Sequence, residues 1–308
     1  MYKYILKRLL MMIPIVLGVT FVIFYMSYIT PGCPAVLTLG EVAPIEAIEQ
    51  LREDWGLNDP FLIRYANYII NLLQGDLGES YTTRRPVWDE IMDRFPTTLM
   101  LAIYGTLLSI VIGIPLGILS ATKQYSIFDN AATSLGLLAV SIPNFWLGLM
   151  LIIAFSLNLG WLPPSGLDTP AAWILPVVTL GTGSAALVMR ITRSSMLEVV
   201  RQDFIRTARA KGQKESTIVW KHALRNAMIP IVTAIGLDFG FLLGGAILTE
   251  SIYALPGLGR FMVDSITARN FSIVQGGVLF MAITFSLVNL LVDILYAYID
   301  PRIKSQYK

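Results

Sequence analysis

The chain has 308 residues, of which 55% are hydrophobic and 14% charged, with a mean hydropathy of +0.65 and a formal net charge of +2. A soluble domain carries about 25% charged residues, so this composition excludes one large water-soluble core and indicates a polytopic membrane protein. The small net charge acquires meaning only when mapped onto two sides of a bilayer. No nucleic-acid partner is expected, and the lone Cys33 permits no internal disulfide.

Lys3, Lys7 and Arg8 precede an apolar run from Leu9 to about Ile29. A run of this length exceeds the 7–15 residues of a signal-peptide core and matches the roughly 20 that cross about 30 Å of hydrocarbon. It reads as a retained first span, giving residues 1–29 as tail plus span. Residues 30–95 form the extended polar region that follows. Within it, Pro44 to Trp55 places Ile45, Ile48 and Leu51 on one helical face, closed by Gly56. Asp59 and Pro60 supply an N-cap and an N1 proline for a second helix ending near Gly75, and Pro86 to Phe95 suggests a third. The region is expected to be an extracytoplasmic helical insertion. A helical loop lying on the bilayer is the alternative reading.

Five further apolar stretches follow at about 97–121, 131–157, 171–191, 229–249 and 273–299, making six spans within a core of 96–299. Pro115, Pro143 and Pro176 are expected to interrupt the second, third and fourth. Breaks of this kind suit helices that line a passage, although proline and glycine are commoner in membrane helices generally. In the fifth, Gly236, Gly240 and Gly244 recur every four residues and offer a groove for another helix. Asp238 lies about 200° round the helix from Gly236. A carboxylate at that depth costs about 3 kcal/mol and must face protein or water, so Asp238, with Asn144 beside Pro143, is a candidate for the translocation pathway. A structural hydrogen bond or ion pair inside the bundle explains Asp238 equally well.

Between the fourth and fifth spans lies a strongly basic loop, about 192–228. Leu197, Val200, Phe204 and Ala208 share one helical face, Gly212 terminates the helix, Ser216 offers a cap for a second helix, and Pro230 suits the first turn of a third. Sixteen of the 23 lysines and arginines fall on the side of this loop and both termini, seven on the other. The positive-inside rule then puts the termini, including the tail 300–308, in the cytoplasm. The loop either touches anionic headgroups or acts as a lever inserted into a soluble partner.

Enzyme chemistry has no support. There is no G-x-x-x-x-G-K-[ST] phosphate loop, the single His222 rules out an H-E-x-x-H zinc site, and Ser120 with Lys123 matches S-x-x-K without its companion elements.

The chain resembles the membrane permease subunits of ABC importers for peptides, nickel and related solutes. The resemblance extends over nearly the whole chain and rests on several clusters. They include Gly75-Asp-Leu-Gly78, Ser80, Pro86-Val87, Thr192-Arg-Ser-Ser-Met196, Arg206-Thr-Ala-Arg-Ala-Lys-Gly212 and His222-Ala-Leu-Arg-Asn226. Further along come Pro230, Gly244-Gly245, Glu250, Pro256-Gly-Leu-Gly-Arg260, Asn289, Asp293, Tyr296 and Asp300-Pro301-Arg302. The superfamily's E-A-A, three residues, Gly signature is only partly kept, with Arg206 and Thr207 in place of Glu and the first Ala.

The resemblance implies an all-α, type I importer permease fold. It implies a coupling segment comprising Gln202, Phe204, Ile205, Arg206, Thr207, Ala208, Arg209, Ala210, Lys211 and Gly212, docking into a cytoplasmic ATPase. It further implies two such ATPases holding the ATP and Mg, a second homologous permease and an extracytoplasmic solute-binding protein, with no cofactor or metal in this chain itself. The location implied is the plasma membrane of a bacterium or archaeon, and the solute a peptide, nickel chelate or glutathione. The alternative function is an ion-gradient-driven secondary transporter built around Asp238.

Overall fold

The computed structural model describes residues 2–40 and 42–299. The C-terminal tail, with Asp300-Pro301-Arg302, lies outside the described residues. Among them, regular structure is helical apart from an isolated bridge between Glu79 and Pro86. The helices are α1 (Tyr2–Ile29), α2 (Pro34–Leu39), α3 (Ile45–Asp54), α4 (Phe61–Leu73), α5 (Val87–Thr122), α6 (Ile127–Ser141), α7 (Asn144–Leu151) and α8 (Ile174–Val200). They continue with α9 (Asp203–Ala210), α10 (Glu215–Thr217), α11 (Leu224–Gly245), α12 (Ile247–Ile252), α13 (Leu258–Thr267) and α14 (Phe271–Ile299). A π-helical turn, Ile152–Asn158, extends α7, and another, Ile218–Ala223, joins α10 to α11.

Five segments are long and apolar enough to cross a membrane: Ile5–Ile29, Val87–Thr122, Pro170–Val200, Glu215–Gly244 and Phe271–Leu295. The expected third span is instead a pair, Ile127–Ser141 and Asn144–Asn158, bent by 99° at Pro143. Ile142 adopts an extended backbone, φ −79° and ψ 123°, because the proline ring clashes with a helical residue before it. The other two prolines break nothing. Pro176 sits in the first turn of α8, where its missing N–H is no loss. Pro115 lies inside a continuous α5 beside Gly113 and Gly117, and Pro96 lies inside the same helix. The third short helix expected at Pro86 to Phe95 is therefore the opening of α5.

Three local expectations in the basic loop also need correction. Leu197 and Val200 end α8 while Phe204 and Ala208 belong to α9, because Arg201 and Gln202 make a turn between them. Ser216 lies inside α10, whose N-cap is Lys214. Pro230 lies inside α11, so the chain stays helical from Glu215 to Gly244. Likewise Pro60, not Asp59, occupies the N-cap of α4.

The helices segregate into two compact units. Of the described residues, one comprises Thr97–Leu255 with 2–5 and 287–299; the other comprises Leu6–Pro96 with Pro256–Ser286. Residues 30–95 therefore share a unit with most of α1, with α13 and with the start of α14. In that unit Val87, Ile91, Leu258 and Ile273 are fully buried together. The Asn270 amide donates to Ser80 Oγ at 2.8 Å and to Thr82 Oγ1 at 3.0 Å, and the Tyr81 N–H donates to Asn270 Oδ1 at 3.2 Å. Buried Glu90 accepts from Thr83 Oγ1 at 2.8 Å and pairs with Arg94, whose guanidinium also lies 3.6 Å from the Phe261 ring centroid.

In the larger unit α5 and α8 approach closely. A Cβ on Gly113 would stand 2.7 Å from the Ala185 carbonyl oxygen, and one on Gly117 2.7 Å from that of Met189. Gly105, Ser109, Gly113 and Gly117 thus form a stripe at four-residue intervals, the small-residue packing that lipid-embedded helices use. On α11, Gly236 packs on Val292 and Gly240 is buried, but Gly244 has open space around it. Within this chain the α11 stripe is therefore not one continuous seam. Gly117→Val is expected to destabilise the purified protein by about 1–3 kcal/mol, the usual cost of overpacking. Gly244→Ala is expected to leave its thermal midpoint nearly unchanged, and both are read by thermal unfolding in detergent.

Candidate functional site

Two clusters in the larger unit carry the sequence-derived candidates. The first is α9. Gln202 caps it in an extended conformation, φ −75° and ψ 153°, and Gly212 closes it at φ +73°, a left-handed conformation that glycine adopts without strain. The Gly212 N–H donates to the Arg209 carbonyl at 2.9 Å.

Ile205 is 0% exposed and belongs to a core with Ile118 and Ala121 of α5, Met196 and Val199 of α8, and Ile218, Val219, Ala223, Ala227 and Ile231 on the α11 side. Ala208 packs against the same core. These two apolar residues root α9 in its own bundle, so they are not free to face a partner as the sequence suggested. Phe204, Arg206, Thr207, Arg209, Ala210, Lys211 and Gly212 are exposed. Arg206 lies 3.7 Å from Asp203, and Arg209 Nη2 lies 2.6 Å from Glu215 Oε1. The hydrogen bond from Arg209 to Glu215 raises the guanidinium pKa further, keeping the charge fixed. The result is a short helix of net positive charge, rooted through Ile205 and Ala208.

The second cluster lies on α8. Asn144, at the start of α7, brings its Oδ1 to 3.7 Å from where a Gly183 Cβ would stand. Ser184, the next residue, lies beside Asp238, whose Oδ2 is buried without a hydrogen-bond partner. The structure therefore brings Asn144 and Asp238, 94 positions apart in sequence, to neighbouring positions of one helix. The Tyr253 hydroxyl fixes the same neighbourhood, lying 2.9 Å from Thr179 Oγ1 and 3.2 Å from the Gly148 carbonyl oxygen. Asn144, Ser184 and Asp238 make a polar patch where the broken α6–α7 pair meets two unbroken helices.

Sequence reasoning missed the ion pair that ties these elements together. Arg193 Nε and Nη2 donate to Asp129 Oδ1 and Oδ2 at 2.7 and 2.9 Å. Ser120 Oγ also donates to Oδ1, and the Tyr125 N–H donates to Oδ2 at 2.9 Å. Asp129 is 2% exposed and the Arg193 side chain 25%. One bidentate pair thus joins α5, α6 and α8. The available signal was an aspartate at the start of one apolar segment and an arginine at the end of another. Thr98 Oγ1, likewise, donates to the fully buried Glu250 at 2.6 Å. Among the described residues no group of His, Cys, Asp or Glu is placed to hold a metal ion.

Residues 113–305 match the family described as the binding-protein-dependent transport system inner membrane component, and residues 1–102 match its N-terminal companion family. The chain belongs to this family. It is 43% identical over 332 aligned residues to the dipeptide transport system permease protein DppB of Alkalihalophilus pseudofirmus, covering 99% of this chain and 100% of that one. It is 44% identical over 304 residues to the glutathione transport system permease protein GsiC of Escherichia coli K12, covering 99% of each. Among solved structures, a chain of the inward-facing MetNI methionine ABC transporter superposes with a TM-score of 0.56 at 22% identity, covering 68% of this chain and 96% of that one.

That structural likeness gives the fold, the helical type I importer arrangement. The family and its full-length relatives give the role. This is a membrane-spanning permease subunit of a binding-protein-dependent ABC importer, a multi-pass inner-membrane component and not itself an enzyme.

Proposed function

We propose that this permease forms half of a pathway for peptides or a related small solute such as glutathione or a nickel chelate, powered by two separate cytoplasmic ATPase subunits that hold the ATP and Mg. The full-length relatives act on dipeptide and glutathione, which favours a peptide-like solute. A second, homologous permease completes the pathway. An extracytoplasmic binding protein delivers the solute to the 30–95 side, and both termini face the cytoplasm in keeping with the bias of positive charge.

The observation that carries this reading is α9: a cationic helix exposed on most faces yet rooted through Ile205 in the core of α5, α8 and α11. Such a helix transmits a push, because the root it moves is part of a close-packed bundle with little compressibility. From there the Asp129–Arg193 pair carries the displacement to α6, and α6 ends at the Pro143 bend beside Asn144. Gln202, Phe204, Arg206, Thr207, Arg209, Ala210, Lys211 and Gly212 are the surface offered to the ATPase. Asn144 and Asp238 border the path of the solute.

The test is uptake of a labelled dipeptide or glutathione into vesicles holding the full transporter. Accumulation is expected to require internal ATP and the binding protein, and to survive collapse of proton and sodium gradients. Uptake that fails with those gradients and ignores ATP overturns the proposal in favour of a secondary transporter.

A further inference from the structure

Helix α4 belongs to the region the charge pattern assigns to the aqueous outer side, yet its surface is divided into three faces. Phe61, Tyr65 and Tyr68 pack on α1. The Phe61 ring lies 5.1 Å from that of Tyr28 and 5.9 Å from that of Phe21, Tyr65 lies 5.5 Å from both Phe21 and Phe24, and Tyr68 lies 5.5 Å from Phe24. Arg64, Asn67 and Asn71 form a polar face on a cavity of about 360 Å³ that Trp55, Ser80 and Gln275 also line. The remaining sector holds Leu62, Ile63, Ala66, Ile69, Ile70 and Leu73, all apolar, with Leu62 71% and Leu73 82% exposed.

The contacts with α1 fix how deep α4 reaches. The Tyr65 hydroxyl donates to the Leu17 carbonyl at 3.2 Å and lies 3.1 Å from Thr20 Oγ1. Leu17 is the middle residue of the apolar segment Ile5–Ile29. It lies about 18 Å below the end of α1 at 1.5 Å per residue. Phe61 sits near Tyr25 and Tyr28 and Tyr68 sits on Phe24, so α4 lies across the C-terminal half of α1 while the Tyr65 hydroxyl reaches toward its middle. Its 13 residues span about 20 Å, too short to cross about 30 Å of hydrocarbon. The α1 surface beside it is itself apolar and open, with Leu17, Val22, Met26 and Ile29 exposed.

We infer that α4 is a helix embedded in the leaflet that holds the C-terminal half of α1, its Leu62, Ile63, Ala66, Ile69, Ile70 and Leu73 face in contact with lipid acyl chains. An apolar face continuous with that of a spanning helix, on a helix packed against the C-terminal half of its apolar segment, meets hydrocarbon rather than water. The helix satisfies its own backbone, as hydrocarbon requires, and Arg64, its single charge, turns to the cavity side. It lies 5.7 Å from the Tyr28 ring centroid, with Nη1 on the Leu57 carbonyl at 3.4 Å. The wall that α4 gives the cavity is then held by the bilayer. This inference does not depend on the energy source proposed above.

The experiment uses the full transporter in vesicles of phosphatidylethanolamine and phosphatidylglycerol. Nitroxide labels are placed singly at Leu62→Cys, Ile70→Cys, Leu73→Cys and, as an aqueous control, Glu53→Cys, each in a Cys33→Ser background. Labels at 62, 70 and 73 are expected to collide several-fold more with oxygen than with a water-soluble nickel chelate, and the control to show the reverse. Free access of the chelate to positions 62, 70 and 73 overturns the inference, since the face is then in water. Exclusion of both reagents also overturns it, since a protein partner then covers the face.

Discussion

Arg193→Ala is expected to cost about 3–5 kcal/mol of stability, because it leaves the Asp129 charge buried and unpaired, and Asp129→Ala somewhat less, because the Arg193 side chain is 25% exposed and keeps some water. Every strong acceptor position of the carboxylate is in use: Oδ1 by Arg193 Nε and Ser120, Oδ2 by Arg193 Nη2 and the Tyr125 N–H. Losing Arg193 removes two charge-assisted bonds at once, and no exposed water layer replaces them at a residue 2% exposed. Losing Asp129 also frees the Tyr125 N–H, where the backbone is held at φ +65° without glycine. The double replacement Asp129→Leu with Arg193→Met is expected to recover most of the loss, since an apolar pair carries no desolvation penalty. Arg206→Ala, which removes an exposed pair at 3.7 Å, is expected to change stability by less than about 1 kcal/mol. Thermal or denaturant unfolding of the purified permease reads all four. Equal small losses for the single variants at Asp129 and Arg193 would show that the pair is not a structural tie.

What the sequence made legible follows from the range over which each signal acts. Span existence depends only on the local density of apolar residues, and the five unbroken segments are where that density predicted them. The break at Pro143 was also legible, but its sharpness was not. Nothing near Pro143 states that it gives 99° while Pro115 leaves α5 continuous, because the difference lies in what packs beside each. The α8–α9 turn escaped notice for a related reason. Leu197, Val200, Phe204 and Ala208 keep helical spacing across Arg201 and Gln202, so the periodicity runs on while the axis does not. The glycine repeat on α11 is plain in the sequence and that on α5 is less so, although it is α5 whose glycines Gly113 and Gly117 face the backbone of another helix within the chain. A repeat names a surface that admits a helix; it does not name the helix. The Asp129–Arg193 pair spans 64 positions and has no local signature beyond two charges in apolar company. The meeting of Asn144 and Asp238 at Gly183 and Ser184 likewise belongs to the packing, not to any segment.

Gly212→Pro is expected to cut uptake by roughly 5–150-fold, the span of a 1–3 kcal/mol coupling energy, while ATP hydrolysis by the assembled transporter continues. Proline fixes φ near −65°, whereas Gly212 stands at +73°. It also removes the N–H that donates to the Arg209 carbonyl. The last turn of α9 has to unwind to accept it, which shifts Arg209, Ala210 and Lys211, three of the eight residues of the proposed docking face. The N-terminal half keeps its root, because Ile205 lies a full two turns away in the core with Met196, Ile218 and Ala223. The variant is thus expected to insert and assemble, with a face that no longer fits. Gly212→Ala separates shape from strain. It keeps the N–H, has no neighbour within 4 Å of its new Cβ, and costs about 1–3 kcal/mol for a left-handed non-glycine residue, so uptake per ATP stays near that of the parent. A bulky side chain at Ala208, which packs against the same core, disturbs the root instead of the face and is expected to uncouple as well. If Gly212→Pro transports its solute at the parental ratio to ATP hydrolysed, α9 is not the element through which the stroke passes.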